Sequence, residues 1–211
     1  MRRRLRSIAT RRVVAALLAA ALVALVATPP QALAGHSAID PTVLRQAAAA
    51  ARFTLQSPDM APRAAVALTH VYDASGCHGA NISPALSWSH PPAGTRSFAV
   101  LMFDPDAPGG GWWHWAVFDI PGGVSSLQAG AGDPARHLLP AGAIQVRNDF
   151  GSLGYGGPCP PPGSAHHYRL MLYALRVAKL GLDASAEPAQ VAARVAANAL
   201  AESQIVAIYG R

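Results

Sequence analysis

Hydrophobic residues fall into three regimes along this chain. From Val13 to Ala27 they are nearly continuous, from Phe53 to about Val177 they come as short runs cut by Gly and Pro, and from Pro188 they recur at helical spacing. In the middle regime Pro58, Pro62, Gly76, Gly79, Pro84, Pro91, Pro92 and Gly94 divide the chain so finely that no long helix fits before Thr95. Three later apolar runs, Ser97 to Phe103, His114 to Ile120 and Tyr168 to Val177, are short, rich in β-formers and aromatics, and bounded by Gly and Pro, which predicts strands. In the last regime Pro188 suits a first helical turn, and Val191, Ala192, Val195, Ala199 and Leu200 form one apolar face. A closing strand is predicted over Gln204 to Tyr209. The fold class is therefore mainly β: a sandwich of short strands with a few short helices, one near the C-terminus.

The first regime changes what counts as the protein. Arg2, Arg3, Arg4, Arg6, Arg11 and Arg12 precede the apolar run, and Ala32-Leu33-Ala34 offers small residues for a signal peptidase, so residues 1–34 are read as a signal peptide cleaved after Ala34. The run is about 15 residues, short of the roughly 20 that a membrane-spanning helix needs. Thr10-Arg11-Arg12 faintly resembles a twin-arginine signal, and the choice of export route stays open. No cysteine follows the run before Cys77, so an acyl anchor has no attachment point. The expected product is exported, periplasmic or secreted, and not membrane-spanning. Residues 35–52 form an Ala-rich segment with a short helix from about Thr42 to Arg52, and 53–211 form one domain, since the 177 residues that follow the leader suffice for a single core.

Charge then excludes a class. The chain has 17 basic and 11 acidic residues, but the six leader arginines account for the whole excess, and no later Lys/Arg cluster exists to follow a nucleic-acid backbone. Cys77 and Cys159, in an oxidising compartment, are expected to pair as a disulfide. Two buried thiols, or a zinc site drawing on His78, His166 and His167, remain alternatives, although neither cysteine belongs to a C-x-x-C pair.

Candidate chemistry concentrates in two segments. Asp104-Pro105-Asp106-Ala107-Pro108 follows a predicted strand, and its prolines hold two carboxylates in a stiff turn. His114 opens the next strand, where pairing with Asp104 would set its tautomer and keep it charged; a turn-capping Asp104 beside a core histidine is the bland alternative. The second segment, Gly151 to Tyr168, is a Gly/Pro loop that delivers His166, His167 and Tyr168 into a strand, with His166 and Tyr168 on one side and His167 on the other. It could equally be a disulfide-tethered loop with histidines at its exit.

Together with Asn81-Ile82-Ser83-Pro84-Ala85-Leu86-Ser87-Trp88, Trp112-Trp113-His114-Trp115 and Gly154-Tyr155-Gly156-Gly157-Pro158-Cys159-Pro160-Pro161, these segments resemble the phosphatidylethanolamine-binding protein (Raf kinase inhibitor-like) family, and more closely its bacterial YbhB/YbcL branch, from about Phe53 to Arg211. The resemblance implies one anion pocket lined by Asp104, His114, His166 and Tyr168, with Asp106 and Tyr155 as further ligand-binding residues, and a phosphate or phosphoethanolamine-type ligand. No cofactor or metal is implied. The family's His-Arg-Tyr reads His166-His167-Tyr168 here, which removes one fixed positive charge and predicts weaker binding. Animal members continue into a further helix where this sequence reaches Arg211, so a more open pocket is expected. Members that inhibit Raf kinase act in the cytosol, and that activity is not carried over to an exported chain. With His114 charged, binding should strengthen below about pH 6.5.

Catalysis is disfavoured. There is no G-x-S-x-G elbow, and Asp104 and Asp106 lie in one locked turn rather than on opposite sides of a substrate, so a hydrolase is the lesser reading. A secreted protein-interaction or inhibitor module is the alternative, with Trp112, Trp113 and Trp115 either packing or engaging a partner protein.

Overall fold

The computed structural model describes residues 52–211. The expected signal peptide (1–34), the Ala-rich segment and its expected helix lie outside the described residues, except Arg52, which sits in a bend. The described residues build two antiparallel sheets. The smaller has the order β1 (Thr54–Gln56), β2 (Leu86–Ser89), β5 (Ser126–Leu127). The larger has the order β6 (Ile144–Gln145), β4 (Trp112–Pro121), β3 (Ser97–Asp104), β7 (Ala165–Leu175), β8 (Ala199–Gly210).

Each face of the large sheet has its own apolar cover. Leu55, Leu86, Trp88 and Leu127 from the small sheet pack with Phe98, Val100, Met102, Trp115, Leu170 and Leu172 to form the main core. The opposite face, with Ala99, Leu101, Ala116, Phe118 and Met171, is closed by Val191 and Val195 of α1 (Pro188–Asn198). Two-sided burial explains why Ser97 to Leu101 read as a continuous rather than alternating run. Val191 and Val195, both fully buried and four residues apart, stabilise the helix's docking by about 1.5 kcal/mol each. Pro188 occupies the first turn, and the Gln190 side chain accepts from the Glu187 N–H.

The predicted strands and helix are present with shifted limits. β4 and β7 begin before His114 and Tyr168, and β8 begins at Ala199, directly after α1. Ala199 and Leu200, expected on the helix face, are instead strand residues, because Ala199 pairs with Leu175 and the ladder with β7 continues from there to Gly210. Strand pairing overrides the helix propensity of this alanine-rich stretch.

Cys77 and Cys159, 82 residues apart, form a disulfide. The bond takes both sulfurs out of the zinc alternative and ties the Gly/Pro loop to the segment preceding β2. Closing a loop of that length stabilises by about 4 kcal/mol in the chain-entropy model. Among the described residues no helix is long and apolar enough to cross a membrane.

Candidate functional site

Antiparallel order brings the C-terminal end of β3 beside the N-terminal ends of β4 and β7. Asp104 closes β3, Trp112 and His114 open β4, and His166 and Tyr168 open β7, so residues far apart in sequence converge on one edge of the sheet. Asp104 Oδ1 accepts the Asp106 N–H at 2.9 Å, a local turn bond within the proline-locked segment. Its Oδ2 accepts from His166 Nδ1 at 2.7 Å, with both side chains buried. The turn sends Asp106 outward, where Oδ2 accepts both the backbone N–H and the Nδ1–H of His167, each at 2.7 Å. Those two bonds, the backbone one foremost, hold the Asp106 carboxyl below its usual range.

His114 is therefore not the partner of Asp104, as the spacing had suggested. Its Nδ1 lies 2.7 Å from the Gly156 carbonyl, which accepts only, so Nδ1 carries the hydrogen. A β-bulge explains the geometry: Met102 pairs with Trp115 and Phe103 with Trp113, which leaves His114 as the extra residue. Trp113 then packs outward against Phe103 while Trp115 stays in the main core. Burial pushes the His114 pKa down, against the opposing pull of the Gly156 carbonyl and of Asp104. The ring is thus neutral at pH 7, and Nε2 holds a lone pair rather than a proton.

The Gly156 carbonyl is itself held in place. The Gly156 N–H donates to the His114 carbonyl at 2.8 Å, the Gly157 N–H to Asn81 Oδ1 at 2.8 Å, and the Tyr72 N–H to the Pro158 carbonyl at 3.1 Å. Position 157 admits only glycine, because a Cβ there would stand 2.2 Å from the His70 carbonyl oxygen. Asn81, noticed in the sequence only as part of a motif, is thus a loop anchor.

These elements enclose a cavity of about 200 Å³ lined by Asp104, Ala107, Pro108, Trp112, His114, Phe150, Cys159, Pro160, Pro161, His166 and Tyr168. No lysine or arginine is among the lining residues. Two hydrogen-bond donors in this lining, the Tyr168 hydroxyl and the Trp112 Nε1–H, are buried without a partner among the described residues. Burial also raises the Tyr168 pKa, with the Asp104 charge adding to it, so the phenol keeps its proton. Size does not mark the site: a concavity of about 670 Å³ beside β1 has no titratable lining residue.

Four of the six expected ligand residues, Asp104, His114, His166 and Tyr168, line the cavity. Two do not. Asp106 sits on the outer rim with His167, and the Tyr155 hydroxyl is buried, donating to the His70 carbonyl at 2.7 Å, with its ring edge-on to Trp115. Tyr155 is thus a packing residue of the loop. Trp112 was read as packing or partner contact, and nothing in its spacing told it apart from Trp113 and Trp115; its orphaned N–H does.

The family model described as phosphatidylethanolamine-binding protein matches residues 56–210. The chain belongs to the phosphatidylethanolamine-binding protein family. Within it, the Escherichia coli (strain K12) protein YbcL, grouped as UPF0098, is 44% identical over 77% of this chain and 90% of its own length. Another UPF0098 protein of that strain, YbhB, is 42% identical over 66% of this chain and 89% of its own. A Mycobacterium tuberculosis (strain ATCC 25618 / H37Rv) protein named as a lipoprotein, LppC, is 38% identical over 77% of this chain and 75% of its own. The crystal structure of E. coli YbcL, described as a member of the mammalian PEBP family, superposes with a TM-score of 0.74 at 43% identity, spanning 75% of this chain and 98% of that one. Two antiparallel sheets with a helix near the C-terminus are thus the architecture of a phosphatidylethanolamine-binding protein.

Proposed function

We propose that this phosphatidylethanolamine-binding protein family member is an exported binding protein whose cavity takes a small phosphate-type anion such as phosphate or phosphoethanolamine. The observation that carries the reading is the pair of orphaned donors. Buried polar groups in folded proteins are almost always satisfied, and a donor left without a partner costs roughly 1–3 kcal/mol. The Tyr168 hydroxyl and the Trp112 Nε1–H want an acceptor oxygen, and a phosphoryl group brings several. A cavity of about 200 Å³ is below the roughly 300 Å³ where drug-sized sites begin, which favours a headgroup over an acyl chain.

The neutral His114 shapes the pH dependence. His114 Nδ1 is spent on Gly156, so Nε2 accepts from a protonated phosphoryl oxygen or must itself take up a proton. A phosphate monoester dianion brings no proton of its own, so for phosphoethanolamine either route takes one up on binding and affinity rises as pH falls. The direction matches the earlier expectation, but the cause is ligand-driven protonation rather than an imidazolium kept charged by Asp104. Export rests on the basic and apolar leader, and a lipoprotein among the relatives agrees with it. Binding rather than catalysis is the role because Asp104 faces the cavity and Asp106 faces away, so no carboxylate pair spans a bound group.

Calorimetric titration of the disulfide-intact protein with phosphate and phosphoethanolamine at pH 6 and 8 tests this, alongside Tyr168→Phe. Saturable binding, tighter at pH 6 for phosphoethanolamine, is expected, and Tyr168→Phe should weaken it about tenfold without loss of thermal stability, since it deletes an unsatisfied buried hydroxyl. Absence of binding at both pH values would sink the pocket and leave contacts with another protein as the function.

A further inference from the structure

Hydrogen phosphate and sulfate are tetrahedral dianions of nearly the same size, so neither the volume of the cavity nor its two orphaned donors can tell them apart. They differ in one hydrogen. Hydrogen phosphate carries an O–H that can donate, whereas sulfate near neutral pH carries none and can only accept. Discrimination between the two therefore needs an acceptor in the wall, and His114 supplies one. Its Nδ1–H is committed to the Gly156 carbonyl at 2.7 Å, and the neighbouring Gly157 is pinned by Asn81. The Tyr168 and Phe150 rings stand edge-on to the imidazole at 5.2 and 5.5 Å and fix its plane. With Nδ1 carrying the hydrogen of a neutral ring, Nε2 presents a lone pair.

Nothing in the protein fills that lone pair. The two donors nearest in the lining, the Tyr168 hydroxyl and the Trp112 Nε1–H, make no hydrogen bond among the described residues. Burial keeps a second proton off the ring against the pull of the Gly156 carbonyl, of Asp104 at the end of β3 and of Asp149, whose carboxylate accepts the Trp113 N–H at 2.7 Å. From β7, Tyr168 faces the ring as a protonated phenol, and the Nδ1 of His166 is taken by Asp104. An anion without a hydrogen would set oxygen lone pairs against Nε2 beside the Asp104 carboxylate. We infer that His114 Nε2 is the selectivity element of the pocket: it accepts a hydrogen carried by the bound anion, so the site takes oxyanions that bring an O–H, hydrogen phosphate foremost, and rejects fully deprotonated ones such as sulfate. A phosphate monoester qualifies only in its singly protonated form.

The inference rests on the anion pocket proposed above, and the test separates the two. Calorimetry on the disulfide-intact protein at pH 8 compares phosphate with sulfate and with monofluorophosphate, a phosphate whose O–H is replaced by fluorine. All three are then mainly dianions, and only phosphate carries a hydrogen. Sulfate and monofluorophosphate are expected to bind about thirtyfold more weakly, the effect of leaving one buried acceptor unmet. His114→Asn keeps a side-chain N–H for the Gly156 carbonyl but has no atom at Nε2, so the gap should close to within about threefold. Tyr168→Phe removes a donor that every anion uses and should weaken all three while leaving the gap. Should His114→Asn fail to fold, proton uptake by the wild type decides: at pH 6, in buffers of different ionisation enthalpy, sulfate should take up about one proton more than phosphate. Sulfate bound as tightly as phosphate, a gap that survives in His114→Asn, or equal proton uptake overturns the role of His114 and leaves the pocket standing. No saturable binding of any of the three anions overturns the pocket and this inference together.

Discussion

Two Asp–His pairs lie side by side in this protein, and they are alike in every respect a sequence can express. Asp104 and Asp106 are two apart in one turn, and His166 and His167 are adjacent on one strand. Both pairs close at 2.7 Å through Nδ1. Asp104–His166 is buried at 4% and 9% side-chain exposure, while Asp106–His167 stands 41% and 55% exposed. The inner pair faces a cavity with two unpartnered donors; the outer pair faces water. Spacing creates the pairs, and the alternation of β7 together with the fold's layering decides which one acquires chemistry.

The contrast breaks most sharply at Asp104. Replacing it with Ala leaves His166 Nδ1 and the Asp106 N–H without their acceptor inside the protein, so a stability loss of about 3 kcal/mol is expected from denaturant unfolding. Phosphate binding should be abolished in the same variant. A loss no larger than that of a surface substitution would mean that the inner pair is no different from the outer one.

A pH profile sharpens the contrast next. Burial depresses the His114 pKa in the folded state, so below the unfolded value near 6.5 the unfolded chain binds a proton that the folded chain refuses. Stability is fully present above that value and is lost as pH falls towards the depressed folded pKa. Thermal midpoints should therefore drop between about pH 7 and 5, less steeply in His114→Phe, and saturating phosphate should offset the drop. Identical profiles for wild type and variant would remove His114 as the source.

Asp106→Asn is expected to do least. Asp106 also has a depressed pKa, so its contribution is present above about pH 4 and fades as pH falls through the folded value. At this exposure solvent screens the pair, and the cost is about 0.3 kcal/mol. Phosphate affinity should stay within about twofold of wild type, since a surface charge this exposed acts weakly on its neighbours. A larger fall in affinity would return Asp106 to the pocket.

The sequence by itself determined the sheet strands with long apolar runs, the helix behind Pro188 and the family, because each rests on short-range pattern or on motifs in a set order. It also delivered Asp104, His114, His166 and Tyr168, which those motifs carry. What it could not express is whom each residue meets. The bulge at His114 replaces a pairing with Asp104 by one with Gly156, strand pairing takes Ala199 and Leu200 away from the helix, and the Tyr155 hydroxyl is spent on His70. Trp112 became a functional candidate only when its missing hydrogen bond could be seen. Local sequence sets the conformations a segment prefers, while burial and hydrogen-bond partners are set by segments distant in the chain, and only the tertiary structure brings those together.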